Sequence, residues 1–353
     1  IAKALSTDAK YLLLDEPTSS LTIHEAENLF MLLRKLKETG VTIIFVSHKL
    51  EEVLALCDCI SVLRDGKFVA TRSCENLQKH EIVQMMIGRE AQDVYFGALE
   101  HQTDETMLEV KNLCQKGRFD NINFSLKKGE ILGFYGLVGS GRTELAKIII
   151  GEDRMTSGEI FVNGKLAHIT SVADCLEKYK IGYVSENRKE DGLILDFSIK
   201  DNITITVWKR LAKWFTGFVN PKQIDAITED MVDSMNIKTP TLNQLVRNLS
   251  GGNQQKVCIG KWLAANCDIL IIDEPTVGVD VGAKQQIHDL IWNLANQEGK
   301  TILLISSDMT EMVALARRIF VFRESKLAGE VTNLDEYKGN YQEISKKIGQ
   351  YLA

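Results

Sequence analysis

Two stretches of this sequence end an apolar run in a pair of carboxylates. Residues 12–22 read LLLDEPTSSLT and residues 270–280 read LIIDEPTVGVD. Adjacent acids at the end of a buried strand suit a metal–nucleotide site. One acid holds a divalent cation through water, and its neighbour orients or deprotonates an attacking water. That gives Asp15 and Asp273 to the cation, and Glu16 and Glu274 to catalysis. A third stretch, GLVGSGRT at 136–143, fits the phosphate-cradling pattern G-x-x-x-x-G-K-[ST], with Arg142 in place of Lys. Its glycines Gly136, Gly139 and Gly141, with Ser140, let backbone N–H groups converge on phosphate oxygens at a helix N-terminus. Thr143 offers a hydroxyl to Mg²⁺. A forked guanidinium is not equivalent to a compact ammonium, so Arg142 alters the chemistry of this loop.

The elements that position these residues are legible from patterning. Residues 11–14 and 41–48 read as buried strands, with an amphipathic helix between them at 23–38. A hairpin follows at 61–70, turning at Asp65-Gly66. GEILGFYG at 129–136 is a strand entering the glycine-rich turn, and 142–150 continue as a helix. GEIFVNGK at 158–165 is a further hairpin. The pattern is helical and interrupted from about 197 to 247, where Trp208 and Trp214 lie near basic residues. Strand, helix and strand return at 268–305. Buried strands alternating with helices indicate an α/β fold with a mostly parallel sheet. The carboxylate module therefore occurs twice, at an offset of 258 residues (Asp15 to Asp273). IAKAL at 1–5 lies over IGKWL at 259–263 at the same offset, so the first copy begins partway through. The first residue is Ile1 rather than Met, and the chain is expected to be N-terminally truncated.

Composition bounds the function classes. The 353 residues are 44% hydrophobic and 25% charged, which suits roughly two soluble globular domains. No apolar run is long enough to span a bilayer. A net charge of −6 argues against nucleic acid as a partner. The seven cysteines include no Cys-x-x-Cys pair and read as reduced thiols.

LSGGNQQK at 249–256 lies between the phosphate loop and LIIDEPT. With that order of motifs the chain resembles the ABC-transporter ATPases, whose signature is LSGGQ followed by a helix. The resemblance implies a P-loop NTPase fold: a mostly parallel core sheet, an antiparallel β subdomain and a helical subdomain, here as a partial first copy plus a complete second copy. It gives residues 1–88 to the C-terminal part of a first nucleotide-binding domain, 89–105 to a linker, 106–340 to a second domain and 341–353 to a helical tail. It also implies that each ATP lies between the phosphate loop of one domain and the signature of the other. Ser250, Gly251, Gly252 and Asn253 would then face a γ-phosphate. Closer still, GRT in the loop and LSGGNQQK in the signature are similar to the tandem ATPase subunit of simple-sugar importers (ribose, galactose, xylose, arabinose). That group carries Glu at the Q-loop position. Here it is Glu186, a nucleotide and metal contact by the same resemblance.

The two copies are not equal. Aligning strand 41–48 with 301–307 sets Ser307 opposite His48. The family's switch histidine contacts the γ-phosphate, and serine neither reaches nor carries a proton at neutral pH. The resemblance therefore implies one hydrolytic site, from Asp15, Glu16, His48, the signature 250–253 and a phosphate loop before Ile1. It implies a second site of 136–143, Glu186, Asp273, Glu274 and Ser307 that binds ATP and turns it over slowly or not at all. After the second DEPT, Asp280 fits the family's D-loop acid, whereas the first copy has Thr22. The implied cofactors are ATP and Mg²⁺. The implied partners are two integral-membrane permease subunits and, indirectly, a periplasmic sugar-binding protein, at the cytoplasmic face of the bacterial inner membrane. The 197–247 region is the expected docking surface. Alternatives are a soluble tandem ATPase on ribosomes, import of a sugar-like signal or nucleoside, a zinc-module DNA-repair ATPase and a non-catalytic scaffold. The short linker, acidic balance and degenerate second site disfavour the ribosomal reading, and the missing cysteine modules disfavour the DNA-repair one.

Overall fold

The computed structural model describes residues 9–15, 17–18, 23–47, 50–64, 67–75, 77–78, 81–82, 85, 96–137, 139–212, 217–332 and 341–352. Glu16, His48, Thr22, the Asp65-Gly66 turn and Trp214 lie outside them. The chain divides into two compact units. One comprises 1–92 with 280–282, and the other 93–279 with 283–353.

In the first unit, β1 (Tyr11–Asp15) pairs parallel with β2 (Thr42–Val46). Between them runs α1 (Ile23–Glu38), whose Ala26, Leu29 and Leu33 recur at helical spacing and are buried. One face of the strand pair, Leu12, Leu14, Ile43 and Phe45, packs with Leu29 and Leu33. The opposite face bears Tyr11, Leu13, Ile44 and Val46, all exposed. Helix α2 (Leu50–Leu56) leads to the antiparallel hairpin of β3 (Cys59–Arg64) and β4 (Lys67–Ser73).

The second unit opens on an antiparallel sheet of β5 (Thr106–Gln115), β6 (Phe119–Lys127), β8 (Ser157–Val162) and β9 (Lys165–Leu166), in the order β6-β5-β8-β9. The β8–β9 turn is Asn163-Gly164, both at positive φ (51° and 71°), the geometry that matches strand twist in a two-residue hairpin. The central sheet is built from β7 (Ile131–Gly136), β10 (Ile181–Val184), β11 (Ile269–Asp273), β12 (Thr301–Ser306), β13 (Arg318–Arg323) and β14 (Lys326–Thr332). Its order is β10-β11-β12-β7-β13-β14, parallel except for β14. Its inner strands are apolar throughout because both faces are covered. Leu132, Phe134, Ile269, Ile271, Leu303 and Ile305 pack with α3 (Arg142–Ile149) and the antiparallel sheet. Leu270, Ile272, Ile302 and Leu304 pack with α8 (Gly251–Ala264), α9 (Val281–Asn296) and α10 (Met309–Leu315).

Helix α4 (Val172–Tyr179) precedes β10. The interrupted helical region resolves into α5 (Ile199–Thr204), α6 (Trp208–Leu211) and α7 (Pro221–Ser234), with α5 and α7 packed on α8. Side chains cap these helices: Ser171 on α4, Ser198 on α5, Asn220 ahead of Pro221, and Ser250 on α8. Trp208 is half-buried and donates its ring N–H to Thr204.

Two peripheral segments join the second core. In the stretch expected to link domains, Phe96 stacks on Trp292 and Leu99 is buried. The expected tail is α11 (Tyr341–Leu352), which packs on β13, β14 and α10 through fully buried Ile344 and Ile348. Among the described residues no helix is long and apolar enough to cross a membrane.

Candidate functional site

The sheet order brings the predicted residues together. Strand β12 lies between β7 and β11, so Ser307 stands between the glycine-rich turn after β7 and the acids that end β11. The turn needs its glycines: Gly139 and Gly141 adopt φ of 81° and 102°. Gly136 is required for a different reason, since a Cβ there would fall 2.6 Å from the backbone oxygen of Phe322.

Asp273 is fully buried. Its Oδ2 accepts the Tyr183 hydroxyl at 3.0 Å. Burial pushes its carboxyl up from 3.8 to about 7, opposed by the nearby Thr143 and Tyr183 hydroxyls and reinforced by the charges of Glu274 and Glu186. Its Oδ1 has no partner, and neither do the buried Ser140 Oγ and Arg142 Nη1. These buried polar atoms at the phosphate loop and the end of β11 are of the kinds that suit a phosphate and a hard cation. Among the described residues no three His, Cys, Asp or Glu side chains form a metal cluster. One hydroxyl and one carboxylate instead suit a cation such as Mg²⁺ that keeps waters and phosphate oxygens as its other ligands.

Glu274 diverges from its neighbour. Its left-handed backbone (φ 44°) turns the side chain away from the strand. Its Oε1 accepts the Ser307 N–H at 2.8 Å and lies 3.3 Å from Arg142 Nη2, with both side chains almost fully buried. Burial raises its carboxyl, the Ser307 hydroxyl and Arg142 lower it, and the buried Glu311 raises it again. The same Arg142 Nη2 also donates to Leu137 O at 3.4 Å. The guanidinium at the lysine position is thus already paired with the acid expected to handle water.

Glu186 is exposed at the end of β10, and its charge acts on Asp273. Asp15 is exposed at the end of β1. The signature residues lie elsewhere: Ser250 accepts from Asn253 N–H and Nδ2, and Asn253 Oδ1 accepts the Lys238 N–H. A Cβ on Gly251 would meet Gly278 O at 2.7 Å, and one on Gly252 would meet Ala283 Cβ at 2.7 Å. None of the contacts described for 250–253 reaches this chain's own phosphate loop. Sequence reading missed Tyr183, whose place in the strand IGYV gives no sign that its hydroxyl reaches across to β11.

A family model described as ABC transporter matches residues 119–277. The putative ribose/galactose/methyl galactoside import ATP-binding protein of Halalkalibacterium halodurans is 44% identical over an alignment of 356 positions, covering 99% of this chain and 67% of that protein. The ribose import ATP-binding protein of Clostridium tetani is 43% identical over 332 positions, covering 94% of this chain and 65% of that protein. The chain therefore spans about two thirds of the length of these relatives. Two solved structures share the fold. A dimeric post-hydrolysis state of an ATP-binding cassette bound to ADP and Pi matches at TM-score 0.57 and 22% identity, over 65% of this chain and 99% of that one. A nucleotide-free ATP-binding cassette from an ABC transporter matches at 0.58 and 19%, over 70% and 99%. Phosphate loop, buried aspartate, signature helix and these likenesses agree, and the chain belongs to the ATP-binding protein family of ABC transporters.

Proposed function

We propose that this chain is the energy-coupling part of an importer for simple sugars of the ribose or galactose type, docked on two permease subunits at the cytoplasmic membrane face. The import functions named for its relatives support the substrate class. The domain reading holds residues 1–88 as part of one nucleotide-binding domain and 106–340 as a second. Asp15, Glu16 and His48 serve hydrolysis, and the signature 250–253 meets a γ-phosphate. Thr143 and Asp273 hold Mg²⁺ at a second site, where ATP is bound and turned over slowly. The cation there would neutralise phosphate charge, while the backbone N–H groups of 139–143 orient the oxygens.

The buried pairing of Arg142 with Glu274 carries the asymmetry. Glu274 Oε1 is engaged by a guanidinium and by the Ser307 N–H, which holds it away from an attacking water, although burial leaves its carboxyl raised overall. No histidine stands at the switch position in this unit. In a full-length protein with its permease, Glu16→Gln should abolish stimulated ATP turnover and Glu274→Gln should leave most of it. Equal losses from the two changes, measured by phosphate release, overturn the assignment. Transport of labelled ribose and galactose into vesicles tests the substrate class.

A further inference from the structure

Arg188 lies two residues after Glu186 and opens a five-residue π-helical turn, Arg188–Gly192. It is almost fully buried. Its Nη1 donates to Val277 O at 2.6 Å and its Nη2 to Gly278 O at 2.9 Å. Those carbonyls belong to the turn that follows the Asp273–Thr276 motif, and Gly278 holds a left-handed φ of 66° there. The same point touches α8. A Cβ on Gly251 would fall 3.0 Å from Arg188 Nη2 and 2.7 Å from Gly278 O. The far end of the π-turn is also fixed to α8, because Gly192 O accepts Lys261 Nζ at 2.6 Å.

One guanidinium therefore ties together the segment after Glu186, the turn after the carboxylate pair and the first turn of the signature helix. Its Nε is buried without a partner. A buried cation with an unpaired N–H is a costly way to satisfy two carbonyls that water or a neutral amide would serve. Its particular capacity is to span two adjacent carbonyls with one rigid fork.

We propose that Arg188 is a positioning residue that makes the Glu186 segment, the 277–278 turn and the signature N-terminus at 250–253 move as one body when nucleotide occupies the phosphate loop. This rests on the ABC reading above only in what the motion serves, since the clasp itself lies within one unit.

The test is amide exchange on the full-length protein, with and without ATP and Mg²⁺, for the native chain, Arg188→Met and Arg188→Lys. In the native chain nucleotide slows exchange at 250–253 and 277–279, by about fivefold or more if the coupling is of ordinary size. Arg188→Met keeps the packing volume and removes both bonds. It should bind nucleotide at the phosphate loop within about twofold of native, yet lose the nucleotide-dependent change at 250–253. Arg188→Lys keeps the charge but cannot span two carbonyls, and should retain only part of the response at an unchanged Tm. A purely structural arginine would raise exchange with and without nucleotide alike. That outcome, a native chain with no nucleotide-dependent change at 250–253, or a full response in either variant overturns the proposal. If Arg188→Met does not fold, the lysine variant decides. Permease-stimulated ATPase is read in parallel: its absence in the native protein counts against the transporter reading and leaves the exchange result standing.

Discussion

Asp273 and Glu274 are adjacent in sequence and opposite in circumstance. Asp273 is sealed at the strand end with one oxygen unpaired, while Glu274 is swung by a left-handed backbone onto Ser307 and Arg142. Burial lifts the Asp273 carboxyl from 3.8 to about 7, so the folded protein holds a proton there that the unfolded chain has released. Between those values the folded state binds more protons than the unfolded one. The stability of the nucleotide-free, metal-free protein should therefore fall as pH rises from about 4 to about 7, by on the order of a few kcal/mol from this group, and level off above. Asp273→Asn should flatten that slope in urea titrations, and an unchanged slope would show that other groups set it. At this scale the sequence displayed the acids, the glycines and Thr143. It did not display the Arg142–Glu274 pair, because residues 132 positions apart meet only through the strand order.

The elements explain why the motifs needed this particular sheet. Inserting β12 between β7 and β11 sets the switch position beside both the phosphate loop and the acids. Apolar runs made these strands readable, but a run that is buried on both faces does not tell which neighbour lies on either side. The same limit applies to α11. It is expected only as a helical tail, and its packing on β13, β14 and α10 is a property of the folded sheet. Ile348 is fully buried there, so Ile348→Ala should cost about 2–5 kcal/mol in equilibrium unfolding. A cost below about 1 kcal/mol would mean that the helix leaves the core cheaply. The stretch 89–105, expected to be a linker, gives the same lesson: in its described part Phe96 stacks on Trp292 and Leu99 is buried, contacts that its polar, aperiodic sequence does not announce.

At the scale of the molecule, the two units repeat one plan in matching register. Tyr11 pairs with Thr42 as Ile269 pairs with Thr301, and Cys59 with Ser73 as Arg318 with Thr332. Even the hairpin irregularity recurs, at Val62/Leu63 and at Val321/Phe322. What differs is cover. Tyr11, Leu13, Ile44 and Val46 are 51–71% exposed, while Ile269, Ile271, Leu303 and Ile305 in the corresponding positions are 0% exposed. One apolar pattern is thus buried in one unit and bare in the other: alternation of residue types settles which side chains are apolar, and the neighbouring strands and helices settle what covers them.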